Sequence, residues 1–370
     1  MPWPQEAQVA ELQARFVVEF GRSENRADVC RRYGISRNTG YKIFARYHRN
    51  GVDGLQRKSR APHAHPNAVG DAVIEMVLAV RDSTPNSSWG ADKIEALWAN
   101  MDLGLKSPSR SSITRILKEY RQTQRRRRHL APLPGRCPPP AQHPNDVWAL
   151  DGKGTWRGAD PLTVEDLHSR FLLDIANVPL TTLHVQRRCA KLFSDHGLPR
   201  RIRTDGGLPF AGCGVGRLSS LSLWWLKQDI DLEVVSKPQH NGHLERFHST
   251  LEQEAPRNVD VDVALGQFRD IYNNIRPHSA LGGRTPVELY RPVPFARAVR
   301  PTVVIDDVRK VTSHGAFNWC GHRMFISEVL ISETITFQFL EPSLWLIRYR
   351  HLPLALLDEK HMVLRRAFGL

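Results

Sequence analysis

Three carboxylates stand where strands and helices could bring them together. Asp151 lies in an apolar run and precedes Gly152, Asp205 directly follows the short run 201–204 in R-T-D-G-G, and Glu245 opens a helical stretch in N-G-H-L-E-R-F-H. Carboxylate oxygens suit hard divalent cations such as Mg²⁺, and two such ions about 3.5–4 Å apart can clamp the attacking and leaving oxygens of a phosphodiester. Taken singly, each acid has a plainer reading: a strand-end turn for Asp151, a turn residue for Asp205, a solvent-facing helix position for Glu245. His240, His243 and His248 resemble a metal cluster on paper, but no Cys or carboxylate spacing supports a zinc site.

The elements that must position these acids follow from periodicity. Strands are predicted over 147–156, 162–166 and 171–178, then a helix over 182–196, a strand over 201–204, a helix over 219–228, a strand over 232–236 and a helix over 243–254. Three strands followed by alternating helices and strands predict an α/β domain with a mixed sheet. Short strands over 302–306, 316–319, 324–326, 334–339 and 344–349 predict a small β barrel or sandwich at the end of the chain.

The N-terminal third reads differently. Apolar residues at helical spacing over 8–20 stop at Gly21, a short helix spans 26–33, Gly34 and Ile35 turn the chain, and Ser36 caps a third helix. This is a helix-turn-helix pattern, with an ordinary three-helix bundle as its alternative. Arg37, Asn38, Thr39 and Lys42, early in the last helix, would face base edges and phosphates, and Arg57, Lys58 and Arg60 in the following connector would touch phosphate. Helices over 69–81 and 90–98 and a third capped by Ser109 predict a second such unit, with Arg110 and Arg115 as DNA contacts. Arg125 to Arg128 and the prolines around them mark a linker, either solvated or tracking phosphate.

Composition agrees with a nucleic-acid partner. The 370 residues carry a net charge of +14, and 23 Lys plus Arg against 13 Asp plus Glu fall within residues 1–130. At roughly 100–200 residues per domain, the length predicts two to three domains. Hydrophobic residues at 41% exclude a wholly disordered or collagen-like chain. No apolar run approaches the ~18 residues of a membrane span and no secretory leader is evident, so a cytoplasmic protein without a membrane partner is expected. Five scattered cysteines are expected to be free, buried thiols.

Several ordered motifs carry a resemblance: W-A-L-D-G-K-G at 148–154, D-L-H-S-R at 166–170, T-D-G-G-L-P-F at 204–210, N-G-H-L-E-R-F-H-S-T-L at 241–251 and R-P-H-S-A-L-G-G-R-T-P-V-E-L-Y at 276–290. Together they resemble insertion-sequence transposases of the retroviral-integrase superfamily, with an Asp-Asp-Glu active site. The resemblance implies a multidomain α/β chain: N-terminal helix-turn-helix units, an RNase H-like mixed α/β catalytic core and a small C-terminal all-β domain. The expected segments are 1–60 and 68–122 (helix-turn-helix), 123–145 (linker), 146–291 (core with a helical extension) and 300–370 (β domain). It further implies that Asp151, Asp205 and Glu245 are the catalytic acids and metal ligands, holding two Mg²⁺ or Mn²⁺ ions with no small-molecule cofactor. The expected partners are double-stranded DNA, as element ends and target, and further copies of the chain assembled on it. The expected chemistry is metal-dependent strand cleavage and strand transfer. Asp166 and Asp174 lie where the family has no catalytic acid and are read as structural.

Two departures from the family pattern matter. Gly206 follows Asp205 where Asn is usual, and Glu252 stands seven residues after Glu245 where the family has Lys or Arg. Two helical turns place Glu252 on the face of Glu245, where it would repel phosphate. On that reading Glu252→Lys should strengthen DNA binding, unless Glu252 pairs with a nearby Arg away from DNA. The departures leave open a transposase-derived DNA-binding protein whose chemistry is lost. A hydrolytic nuclease of the same fold is a further alternative. The 39 residues between Asp205 and Glu245 exceed the commonest family spacing, and the Gly-rich stretch 211–217 is the expected insertion.

Overall fold

The computed structural model describes residues 6–56, 68–83, 85, 88–101, 105–122, 139–235, 242–291 and 303–367. By contact the chain divides into two units, Met1–Ala68 and Val69–Leu370.

In the first unit, α1 (Glu6–Arg22), α2 (Arg26–Arg32) and α3 (Arg37–Asn50) close on Phe16, Val17, Phe20, Val29, Cys30 and Ile43. The Asn25 side chain accepts the Asp28 N–H and caps α2, Gly34 takes a φ of +66° in the turn, and Ser36 Oγ accepts the Thr39 N–H at 3.2 Å to cap α3. Helix α1 runs through Gly21, where a stop was predicted. A Cβ there would lie 3.3 Å from the Phe44 ring, so this glycine makes room for α3 instead of ending α1.

The second unit opens with α4 (Asp71–Asp82), α5 (Ala91–Asn100) and α6 (Arg110–Glu119), gathered around Val77, Ile94, Trp98, Ile113, Ile116 and Leu117. Then follow β1 (Val147–Gly152), β2 (Pro161–Asp166), β3 (Leu172–Asn177), α7 (Thr182–His196), β4 (Arg201–Thr204), α8 (Ser220–Lys227), β5 (Asp231–Val234), α9 (Gly242–Glu254), α10 (Val261–Asn274) and α11 (Pro286–Leu289). The sheet order is β3-β2-β1-β4-β5; β1, β2 and β3 are antiparallel neighbours, and β1, β4 and β5 run parallel. This is the RNase H-like mixed sheet. Strand β1 ends at Gly152, short of the predicted 156, because the chain turns at Gly154 and Trp156 bridges Ala159 to close a hairpin.

Alternation along the strands loads both faces of this sheet. Trp148, Leu150, Leu162 and Val164 join Val185 and Leu192 of α7 and Trp225 of α8 in one apolar layer. Leu172 and Ile175 join Phe247 and Leu251 of α9 and Leu265 and Phe268 of α10 in the other. Helix α10 falls where the sequence suggests only a helical extension without bounds.

The C-terminal region is all antiparallel. Strands β6 (Asp307–Lys310), β9 (Thr334–Glu341), β10 (Leu344–Tyr349), β11 (Leu352–Asp358) and β12 (Val363–Arg366) form a sheet ordered β12-β11-β10-β9-β6, beside the hairpin β7 (Ala316–Trp319) and β8 (His322–Phe325). The first strand begins at Asp307, so the predicted strand over 302–306 is corrected, and β11 and β12 add to the predicted set. Phe317, Phe337 and Leu354 share one core with Leu218, Leu223 and Leu226, and Val215 of the Gly-rich stretch 211–217 lies against it. That stretch fastens the mixed-sheet region to the β region.

Two corrections concern the thiols: Cys30 and Cys189 are buried as expected, but Cys213 and Cys320 are exposed, one in the Gly-rich stretch and one in a turn at a φ of +44°. Cys137 lies outside the described residues. Among the described residues no helix is long and apolar enough to cross a membrane.

Candidate active site

The position of Asp151 follows from register. Leu150 pairs with Thr204 across the parallel β1 and β4, so Asp151 and Asp205 leave neighbouring strands at the same level. Because Leu150 faces α7, the next residue turns to the opposite face, the one covered by α9 and α10. Glu245 lies in the first turn of α9 on that side.

Asp151 feels the charges of its acidic neighbours. Burial and then the charge of Asp205 push the Asp151 carboxyl up to about 7 against an opposing hydrogen bond from Gly152, and the charges of Asp160 and Glu245 add smaller upward contributions. Asp151 and Asp205 are half-buried, and Glu245 is exposed. Sequence reasoning missed Asp160. Its Oδ1 accepts the Gly154 N–H at 2.8 Å in the β1–β2 hairpin, which brings a fourth carboxylate toward Asp151. The Gly207 N–H donates to Asp205 Oδ1 at 3.2 Å and holds the turn after β4. Among the described residues, no three His, Cys, Asp or Glu side chains are close enough to hold a metal ion between them. The donor set is nevertheless all oxygen, and the mutual repulsion at Asp151 is of the kind a divalent cation relieves.

Basic groups border the acids. Lys153 Nζ lies 2.7 Å from Glu252 Oε1, so the charge expected to repel DNA is met within the protein. Arg217 Nη2 donates to the Gly206 carbonyl at 3.4 Å, beside Asp205. A pair between Glu252 and a nearby Arg is the alternative the sequence allows; the partner is Lys153 instead, and the Arg217 contact is not one the sequence suggests. The motif containing Lys153 had been noted, but its pairing needs the α9 register.

The remaining acids and motifs are structural. Asp166 Oδ1 accepts from the Ser169 N–H and hydroxyl, Asp166 Oδ2 accepts the Asn145 N–H, and Asp174 pairs with Arg188. His243 pairs with the buried Glu165 at 3.1 Å, whereas burial, aided by the Lys153 charge, lowers the pKa of His248 to about 4. His240 lies outside the described residues. In the last motif Arg276 pairs with Glu254, Tyr290 donates to Asn145, and Thr285 with Glu288 forms a capping box.

Of the expected DNA contacts, Arg37, Asn38, Thr39 and Lys42 are exposed on α3, although Thr39 Oγ1 also bonds Ser36 Oγ in the cap. On α6 Arg115 is exposed, while Arg110 Nε pairs with Asp92 at 2.5 Å. Arg57, Lys58, Arg60 and the run Arg125 to Arg128 lie outside the described residues.

Comparison with known proteins follows this division. Residues 229–286 match the integrase core domain, and residues 10–56 and 39–117 match homeodomain-like domains. The core match contains Glu245 but neither Asp151 nor Asp205. An uncharacterized protein of insertion element IS407 from Burkholderia multivorans is 27% identical over 158 residues, covering 39% of this chain and 55% of its own length. One of insertion element IS476 from Xanthomonas euvesicatoria is 28% identical over 159 residues, covering 39% and 44%. The chain thus spans about half the length of the curated relatives it matches. Among solved structures, the HTLV-2 integrase catalytic core domain aligns with a TM-score of 0.33 at 16% identity, covering 40% of this chain and 98% of that one.

Proposed function

The chain carries an integrase core domain behind homeodomain-like domains and is a relative of insertion-element proteins, and on that premise we propose that it is a DNA transposase. In this reading it binds the ends of a mobile element, cleaves a phosphodiester and joins the freed 3′ hydroxyl to target DNA. The observation that carries the reading is the β1–β4 register, which sets Asp151 level with Asp205 while Glu245 bears on Asp151 from α9.

Asp151, Asp205 and Glu245 would hold Mg²⁺ or Mn²⁺, expected as two ions. When bound, these supply a lowered pKa for the attacking water or 3′ hydroxyl and charge neutralisation at the leaving oxygen. The sheet holds Asp151 and Asp205 on rigid strand ends, and α9 presents Glu245 from the side. The exposed residues of α3, with Arg115 on α6, would grip DNA. Joining two element ends calls for more than one copy on the DNA.

An impaired, DNA-binding derivative was the main rival because Glu252 and Gly206 depart from the family. The Lys153 pair offsets part of the Glu252 charge that argues for impairment. The test is Mg²⁺-dependent cleavage and joining of DNA taken from both flanks of the reading frame. Binding without either step would favour the impaired derivative, and cutting without joining would favour a nuclease.

A further inference from the structure

Lys153 sits between Gly152 and Gly154, two residues beyond Asp151, and its backbone N–H donates to the Pro161 carbonyl at 3.0 Å. Its side chain crosses to α9, where Glu252 Oε1 lies 2.7 Å from Nζ. The two partners are unequal: the Lys153 side chain is 12% exposed and that of Glu252 is 56% exposed. The lysine is thus held by its surroundings, while the carboxylate reaches it from solvent.

The surroundings give the cation a task. Asp151 already feels the charges of Asp205, Asp160 and Glu245, a concentration that repels a phosphodiester. An ammonium has three donors, and one carboxylate oxygen at 2.7 Å engages one of them. Glu252 is more than half exposed and can be rehydrated when it leaves, so an incoming phosphate can share or replace it at Lys153.

We propose that Lys153 is a substrate-binding residue that takes a DNA backbone phosphate beside the catalytic carboxylates, with Glu252 as the carboxylate that holds it ready until DNA arrives. The proposal rests on the transposase reading for the identity of the substrate. It assigns the two members of the pair opposite effects on DNA: Lys153 attracts it, and Glu252 competes with it.

The experiment compares full-length wild type, Lys153→Gln, Lys153→Arg and Glu252→Gln for binding to a 30-base-pair duplex across a salt series in chelator, and for joining of flank DNA in Mg²⁺. Lys153→Gln should weaken binding at low salt on the order of tenfold and reduce the salt slope by about 1. Lys153→Arg should restore both, and Glu252→Gln should tighten binding. If the pair serves the fold alone, the two Gln variants should shift binding equally or not at all, which would overturn the proposal. If wild type joins no DNA yet the binding pattern holds, the phosphate contact stands and the transposase reading falls.

Discussion

The indole N–H of Trp89 donates to Glu254 Oε2 at 3.1 Å, across 165 residues of sequence. Glu254 closes α9, the helix that carries Glu245, and also accepts from Lys93 Nζ at 2.9 Å and Arg276 Nε at 2.8 Å. One buried carboxylate therefore ties the second helical unit and the segment after α10 to the helix that positions a candidate catalytic acid. Glu254→Ala would leave two cations facing a buried gap, and breaking such a pair costs about 3–5 kcal/mol. The expected result is a fall of that order in unfolding free energy by denaturant titration, with joining lost as well. Unchanged stability would show that the network does not hold these elements together.

The same cluster predicts acid sensitivity. Burial, with the charge of Arg276, lowers the pKa of His278 to about 3. At Glu254, burial acts to raise the pKa but is outweighed by hydrogen bonds and charge from Arg276 and Lys93, so it is held below the ordinary value. A lowered histidine pKa means that the unfolded chain binds the extra proton between about 6.5 and 3, so stability is lost as pH falls across that window. The depressed Glu254 contributes stability that is present above its unfolded pKa and is lost as pH falls through its folded one. His278→Asn should flatten the decline between pH 6.5 and about 4, where the wild type should lose stability steadily.

Asp151 has the opposite sign. With its carboxyl pushed up to about 7 by burial and neighbouring acids, the folded state holds a proton that the unfolded chain releases near 4. Its contribution is fully present below that value and is lost as pH rises through about 7. In chelator at pH 8, Asp151→Asn should melt at a higher temperature than wild type, with the gap shrinking toward pH 5. Saturating Mg²⁺ should stabilise wild type more than the variant. Asp151→Asn, Asp205→Asn and Glu245→Gln should each abolish cleavage and joining while leaving DNA binding nearly intact. Joining retained by any of them would remove that residue from the proposed set.

Much of this arrangement could be read from the sequence because it is local. Periodicity placed α7 and β4, and the Ser36 and Ser109 caps are where short polar residues precede helical runs. What escaped is long-range or depends on turns. Lys153 meets Glu252 across 99 residues, and Asp160 approaches Asp151 through a hairpin, closed at Trp156 and Ala159, that cuts short the strand predicted over 147–156. Leu352 to Asp358 lacks the strict alternation of a strand with one solvent face, because four of its residues in a row are buried beside the Phe337 core.

The α3 face offers a test independent of the chemistry. Arg37→Ala and Lys42→Ala should both weaken DNA binding; a base-reading Arg costs ~1–3 kcal/mol and relaxes specificity, whereas a phosphate-bound Lys flattens the salt slope. Arg110→Ala should have a smaller effect, since Asp92 already occupies that guanidinium. Unchanged affinity in both α3 variants would mean that another element reads the DNA.

Gly206 supplies the last prediction. A Cβ at this position would lie 2.1 Å from Arg217 Nη2, so any larger residue must expel the guanidinium from its place beside Asp205. The obstructing atom is the end of a flexible side chain, which can swing aside with little loss of packing. Gly206→Asn should therefore change unfolding free energy by only about 0.5 kcal/mol, the range of ordinary surface substitutions. Its effect on DNA joining should match that of Arg217→Gln, because both remove the same cation from the same place. The double variant should then be no worse than either single one, the non-additivity expected of residues that share one contact. Additive losses in joining would show that Gly206 acts apart from Arg217.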